Sequence, residues 1–320
     1  MSPRQITVLG ECVADAFARP ASAPHELDLQ VLPGGGPANT AVALARLGTP
    51  SRFLARLSGD VFGRLFRDRL EASGVDLSHA VVASEPSTLA VAELDAEGQA
   101  AYAFHAQGTA DWQWSSAELA GVDLSSTTCL HTGSLALVRE PGAAAVEEFL
   151  AAASSRATIS IDPNVRPLLV DPETYRAKLR RWCDLADILR LSEEDLGLLL
   201  PHTPLEQACD LWHAAGARLV VVTRGAEGAL VSLDGERVHV PAVTARVVDT
   251  VGAGDSFTAG LLHHLGARGL LGGRLTGLRL GEVAESCLFA AHVAALTCAV
   301  AGPNPPWRSQ LPQGAPQIVV

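Results

Sequence analysis

Three features of the 320-residue sequence predict an α/β protein. The expected core is a mostly parallel, doubly wound β-sheet with helices on both faces, and a small β-sheet lid is added to it. First, short apolar runs alternate with longer amphipathic stretches, the pattern of strands buried on both faces by crossover helices. Second, glycine-rich or acidic turns follow several of these runs, at the strand ends where open α/β sheets bind ligands. Third, one hairpin signal at residues 89–104 interrupts the alternation and points to a second, smaller sheet. The expected organisation is a single domain over 1–320, with lid segments at about 12–33 and 87–106.

In chain order, residues 6–9 form the first buried strand, followed by Glu11 and Asp15. The string P-G-G-G-P-A-N (33–39) leads into a helix with Ala41, Val42, Leu44, Ala45 and Leu47 on its apolar face and Gly48 closing it. A dinucleotide fingerprint fits this string poorly, because prolines precede and interrupt the glycines and Asn39 replaces the third small residue. Residues 52–57 read as one strand, and Asp60 caps a helix whose face is Phe62, Leu65, Phe66 and Leu70. The hairpin at 89–104 turns at 95–98, with residues 12–33 as partners for its strands. Gly108–Asp111 makes a capped turn before a helix, and Trp112 and Trp114 read as core.

Strands at 158–161 and 188–191 end in D-P-N-V-R-P (162–167) and S-E-E-D (192–195). The buried run 218–222 precedes T-R-G-A-E-G (223–228), and Asp234-Gly235 turns a hairpin toward Val238 and Val240. Residues 282–301 form the last helix, and about ten terminal residues read as a frayed tail.

The string D-T-V-G-A-G-D-S-F (249–257) carries the chemistry. Three small residues follow a β-branched run and open an apolar helix through Leu261, Leu262 and Leu265. The first amides of a helix lack intrahelical partners and, with the helix dipole, attract anions. Gly252 and Gly254 admit close approach of a ligand to that backbone. Asp255 is poorly suited to bind an anion there. It is well placed as a base that takes a proton while the amides of Gly252, Ala253 and Gly254 hold developing charge.

Composition narrows the field further. The net charge of -11 argues against a nucleic-acid partner. Lys178 is the only lysine, so a Walker A lysine or a Schiff-base lysine has no support, and phosphate must be held by amides, arginine and a metal ion. Six scattered cysteines without a C-x-x-C pair read as reduced thiols of a cytoplasmic protein. The longest nearly apolar run, 287–301, contains His292 and is shorter than the roughly 18 residues of a membrane span, so a buried helix is expected. No secretory leader is evident, since Glu11 and Asp15 interrupt the first apolar stretch.

D-T-V-G-A-G-D-S-F, G-G-x-x-x-N (34–39, containing Gly35, Gly36 and Asn39) and T-x-G-x-x-G together resemble the ribokinase-like, PfkB-type family of sugar and nucleoside kinases. The resemblance implies ATP as phosphoryl donor, with Mg²⁺ and K⁺ as cofactors, and a sugar hydroxyl as acceptor. It implies Asp255 as catalytic base, and Asp15, Gly35, Gly36, Asn39, Asn164 and Asp111 as sugar contacts or their supports. Arg166 is assigned to the transferring phosphate, with an ion pair to Asp162 as its alternative. Ser192, Thr223, Gly225, Gly228 and Gly254 fall to the nucleotide. Asp195 or Glu194 serves Mg²⁺ through water, because S-E-E-D departs from the usual N-x-x-E. Asp249 and Val251 match a monovalent-cation loop.

D-P-N-x-R-P and G-T-A-D point to the fructokinase branch. 2-Keto-3-deoxygluconate kinase is the alternative, and there His105 would have to meet the substrate carboxylate. A nucleoside kinase and a non-catalytic sensor on the same fold stay open, as does the choice between monomer and homodimer.

Overall fold

Buried β-branched and leucine runs set the centre of the molecule. A computed structural model describes residues 4–20, 25–94 and 100–311. In chain order it contains β1 (Gln5–Leu9), β2 (Val13–Pro20), β3 (Leu27–Gly34), α1 (Gly36–Arg46), β4 (Ser51–Leu54), β5 (Arg56–Ser58), α2 (Val61–Ala72), β6 (Val81–Ala83), β7 (Thr88–Leu94) and β8 (Ala100–His105). These are followed by α3 (Ser116–Ala120), β9 (Thr127–Gly133), α4 (Gly142–Ala153), β10 (Thr158–Asp162), α5 (Pro172–Leu185), β11 (Ile188–Ser192), α6 (Glu193–Leu199), α7 (Leu205–Ala214), β12 (Leu219–Thr223), β13 (Ala229–Leu233), β14 (Glu236–Val240), α8 (Ala253–Ala267) and α9 (Leu280–Cys298).

Eight strands form the main sheet in the order β14-β13-β12-β11-β10-β9-β1-β4. The strands from β12 to β4 run parallel, and β13 and β14 add an antiparallel hairpin at one edge. One core lies between the sheet and α1, α2, α8 and α9, and the other between the sheet and α4, α5, α6 and α7. This is the expected doubly wound architecture. A second sheet, β3-β2-β7-β8, contains the expected hairpin and the strands from residues 12–33. The hairpin turn expected at 95–98 and most of the expected frayed tail lie outside the described residues.

Four local readings change. Residues 52–57 are not one strand: β4 pairs with β1 as far as Leu54, and β5 then pairs with β6 in a separate two-stranded sheet. The break falls where β1 ends at Leu9 and no longer offers an edge. Helix α1 begins at Gly36, inside the glycine string, so Asn39 sits in its first turn. Pro37 is compatible with that position because its missing N–H has no intrahelical partner to lose.

Residues 287–298 of the apolar run belong to a helix that starts earlier, α9, whose 19 residues and mean hydropathy of 1.2 are enough to cross a membrane by length and composition; 299–301 lie beyond its end. It is not wholly buried. Val283, Cys287, Ala290 and Val293 belong to the core that α8 shares, while Ala291, Ala294 and Cys298 line a cavity.

Finally, His105 lies on the lid face opposite Tyr102 and Phe104, paired across the strands with Leu89. Side chains alternate across a strand, so when Phe104 faces the cavity His105 cannot. Trp112 and Trp114 are buried, as expected of core residues.

Candidate active site

A cavity of about 1150 Å³ opens between the small sheet and the carboxyl edge of the main sheet. Val13, Asp15, Tyr102 and Phe104 line it from the lid, and Thr223, Gly225, Gly228, Ala291 and Cys298 from the far end. Gly35, Gly36, Asn39 and the start of α8 lie between.

Helix α8 starts where the sequence places it. Gly252 caps it with φ 78°, and a Cβ there would fall 2.8 Å from Pro303 Cβ, so only glycine fits both backbone and space. The Ala253 amide turns back to Thr250 O at 3.2 Å, and the helical ladder begins with the Ser256 amide donating to Gly252 O at 2.9 Å. Gly254 and Asp255 therefore bring early helix amides to the cavity they line.

Asp255 Oδ2 accepts a hydrogen bond from Asn39 Nδ2 at 2.8 Å. Burial pushes its carboxyl up to about 6; Asp162 adds to the rise, while Asn39, Arg166 and Arg190 oppose it. A Cβ on Gly36 would lie 2.7 Å from Asn164 Nδ2 and 3.1 Å from Asp255 Oδ1, so this glycine lets α1 approach both groups. Asn164 itself adopts φ 41°, which turns the chain sharply after β10.

Asp15 lies within β2, not at the end of the first strand, and lines the cavity. Burial raises its carboxyl to about 6, opposed by Arg166 and Arg69. Gly34 is packed directly against it: a Cβ there would fall 2.0 Å from Asp15 Oδ2. Asp111 is not on the cavity wall. Its carboxylate accepts from the Cys12 amide at 2.9 Å and from Thr88 Oγ1 at 2.6 Å, so it supports the β2 entry and Thr88, which does line the cavity. Arg166 does not pair with Asp162; that carboxylate goes to Arg190 at 2.7 Å. Arg166 Nη1 donates to Val165 O at 3.2 Å, and its charge acts on Glu11, Asp15 and Asp255 as well as on Asp162 from the cavity wall.

At the other end, Ser192 caps α6 and shares a capping box with Asp195. Asp195 Oδ2 accepts from the Ser192 amide at 3.0 Å and from Ser192 Oγ at 2.6 Å, and Oδ1 from the Val165 amide at 2.8 Å. Its oxygens are thus engaged in holding two loops together. Glu194 is exposed and lines the cavity without such bonds among the described residues. Among the described residues no group of three His, Cys, Asp or Glu is arranged to hold a metal ion. A single carboxylate not taken up by other bonds suits Mg²⁺, which keeps several waters and binds through one or two carboxylates plus phosphates.

Thr223 ends β12, and the Arg224 amide donates to Gly228 O at 2.8 Å to close the following turn. Gly228 has φ 86°, and a Cβ there would strike Val240 O at 2.1 Å. Gly225 has φ 54° and open space around it. Asp249 shapes the loop before α8: Oδ1 accepts from the Val251 amide at 3.0 Å and Oδ2 from the Gly302 amide at 2.8 Å.

Sequence reasoning missed two cavity residues. Glu11 is buried, with Oε2 lacking a partner, and burial raises its carboxyl to about 7. Arg190 is buried in β11, bonded to Asp162 and to Thr223 Oγ1 at 2.8 Å. The available signal was a charge inside an apolar run, because buried charges are expensive unless paired or used.

The arrangement places the Asp255 carboxylate beside amides suited to an anion, at the junction of a polar pocket and a glycine loop. That suits transfer of a phosphoryl group to a hydroxyl.

The comparisons agree with this geometry. The pfkB family carbohydrate kinase profile matches residues 3–310. The chain is 37% identical over 270 residues to a fructokinase of Rhizobium leguminosarum bv. trifolii, covering 83% of this chain and 81% of that protein. It is 33% identical over 295 residues to the fructokinase of Escherichia coli, covering 88% and 91%. Among solved structures, fructokinase from Xylella fastidiosa with bound ATP superposes with a TM-score of 0.85 at 26% identity, over 93% of each chain. Fructokinase from Vibrio cholerae O395 with fructose, ADP and calcium ion bound gives 0.78 at 27% identity, over 95% of each. With Asp255, the start of α8 and the 223–228 glycine loop lining one cavity, and the family match over residues 3–310, the chain belongs to the pfkB family of carbohydrate kinases.

Proposed function

We propose that the protein transfers the γ-phosphoryl group of ATP to a hydroxyl of fructose, giving fructose 6-phosphate. The observation that carries this reading is Asp255 held by Asn39 at the start of α8, facing a cavity with acids at one end and a glycine loop at the other. Fructokinases at 33–37% identity over most of the chain support the choice of sugar.

In this reading the ring hydroxyls donate to Asp15, since an ionised carboxylate only accepts hydrogen bonds. The Gly35 and Gly36 backbone and Asn39 complete the sugar site, and Asn164 and Arg166 close it from the β10 turn. The lid strands exclude water once the sugar is seated. Asp255 accepts the proton of the reacting hydroxyl as its oxygen forms a bond to phosphorus and the β,γ-bridging oxygen leaves with ADP. The early α8 amides hold the equatorial phosphoryl oxygens. Ser192, Thr223, Gly225 and Gly228 border the nucleotide. Glu194, together with the nucleotide phosphates, would hold Mg²⁺, which offsets phosphate charge when bound. Asp195 is left to its loop-holding bonds.

Main-chain oxygens of Asp249 and Val251 would hold K⁺ beside α8, and a Vibrio cholerae fructokinase variant has been solved with potassium ion bound. Rates in K⁺ should exceed rates in a bulky organic cation at matched ionic strength; equal rates would remove this cation from the scheme. The 2-keto-3-deoxygluconate reading loses its cation, because His105 faces away from the cavity. A non-catalytic sensor would not need the base and the helix start that are both present. We place the protein in the cytoplasm, as a monomer or homodimer. An ADP-release screen across fructose, ribose, 2-keto-3-deoxygluconate and adenosine tests the reading, with fructose expected to give the highest kcat/KM.

A further inference from the structure

A phosphoryl group in transfer needs positive charge, and the cavity has little to offer. Its only lysine, Lys178, lies on α5 and is paired with Glu147 at 3.0 Å. Among the described residues, Arg166 and Arg190 are the arginines that line the cavity. Arg166 stands in the turn after β10, with Nη1 donating to Val165 O at 3.2 Å. Arg190 lies on the nucleotide side: Nη1 donates to Asp162 at 2.7 Å and Nη2 to Thr223 Oγ1 at 2.8 Å, the first residue of the glycine loop. Its guanidinium lies 5.8 Å from the centre of the Phe257 ring, and Nε is buried without a partner. A Cβ built on Gly254 would come within 3.0 Å of both Nη1 and Nη2. The guanidinium therefore packs directly against Gly254 in the first turn of α8.

We propose that Arg190 is a catalytic residue, the cation that contacts the transferring phosphoryl group from the nucleotide side. Asp162 and Thr223 hold its plane, and the absence of a side chain at Gly254 lets it reach the same space as the helix amides. A planar guanidinium fixed at two corners is preorganised for phosphate oxygens, and it needs little rearrangement as charge builds. This also gives Gly254 a reason beyond backbone freedom. Its φ is not in the left-handed region, so alanine there would suit the helix but push Arg190 aside.

The inference rests on the kinase reading, and the two are tested separately. Fructose turnover by the wild-type protein tests the reading, and its absence would sink both. Given that turnover, kcat, both KM values and the affinities for ADP and for MgADP–aluminium fluoride are measured in R190K, R190Q, D162N, D162N/R190Q and G254A. R190Q is expected to lose about 10²–10³-fold in kcat, the range for one charge-stabilising donor. Fructose KM and ADP affinity should change little, while affinity for the fluoride complex falls with kcat. R190K should recover part of the loss, and G254A should lose kcat without losing thermal stability. Wild-type kcat in R190Q would overturn the proposal. So would equal kcat in D162N/R190Q and D162N, which would mean that Arg190 only neutralises Asp162. Should R190Q fail to fold, the double variant, which removes both buried charges together, decides by the same measurements.

Discussion

Four carboxyls at or behind the cavity, Glu11, Asp15, Asp111 and Asp255, all titrate above their usual range because burial penalises the charged form. For Asp255 the working form is the carboxylate, so kcat/KM should be sustained above pH 6 and fall as pH drops through about 6. Asp255→Asn keeps the shape and removes the basicity; turnover should fall about 10²–10⁴-fold with ATP and sugar binding retained. Near-normal turnover with bound sugar would exclude Asp255 as the base. Stability runs the other way. An acid whose folded pKa is raised binds more protons folded than unfolded, so its favourable contribution is complete below the unfolded value and disappears as pH rises through the folded one. Asp15→Asn should therefore stabilise the free protein at pH 8, by about 1 kcal/mol or more per unit of removed shift before screening by cavity water, while raising fructose KM about tenfold. A thermal melt and a saturation curve on one preparation check both signs. Asn39 and Asp255 were legible as cavity residues because they stand in spaced motifs, whereas Asp15 was reached only through the family resemblance and lies within β2 instead of at a strand end. Arg190 and Glu11 were not, since I-L-R-L-S reads as a strand and G-E as its solvated edge until three dimensions bring them to the cavity.

Elements were legible where period and turn chemistry agreed, and their ends were not. The S-R-F-L-A-R-L-S stretch carries no breaker, so nothing local announces that β4 and β5 serve different sheets; the length of a neighbouring strand decides it. The face of a strand is set by register, and one residue of shift exchanges cavity for solvent, which is how His105 was misjudged. The β2–β3 pair offers a test at this scale. Asp15 leans over Gly34, whose added Cβ would overlap Oδ2 at 2.0 Å. Gly34→Ala should rotate or displace that carboxylate and raise fructose KM, with ATP KM and the fold largely kept. An effect on ATP equal to that on fructose would mean the whole lid had shifted, and the local account would fail.

At the scale of the molecule, alternation of strands and helices foretold the layers, and the pair of sheets followed from one hairpin signal. The order of strands did not, because pairing partners such as β1 and β9 are more than a hundred residues apart. The wide cavity between the two sheets gives the sugar a role in stability as well as in turnover. Fructose present at 100 times its Kd should stabilise the folded protein by about 2.7 kcal/mol, readable as a rise in Tm; no rise would mean that the free enzyme does not hold the sugar without nucleotide. The scarcity of lysine reaches beyond phosphate chemistry. With Lys178 on α5 as its single side-chain amine, engaged with Glu147 and outside the cavity, the chain offers almost nothing to reagents that attack amino groups. A reducing sugar such as fructose forms adducts with free amines during long exposure. A protein of this composition meets that hazard with its working surface built from arginine, carboxylate and backbone.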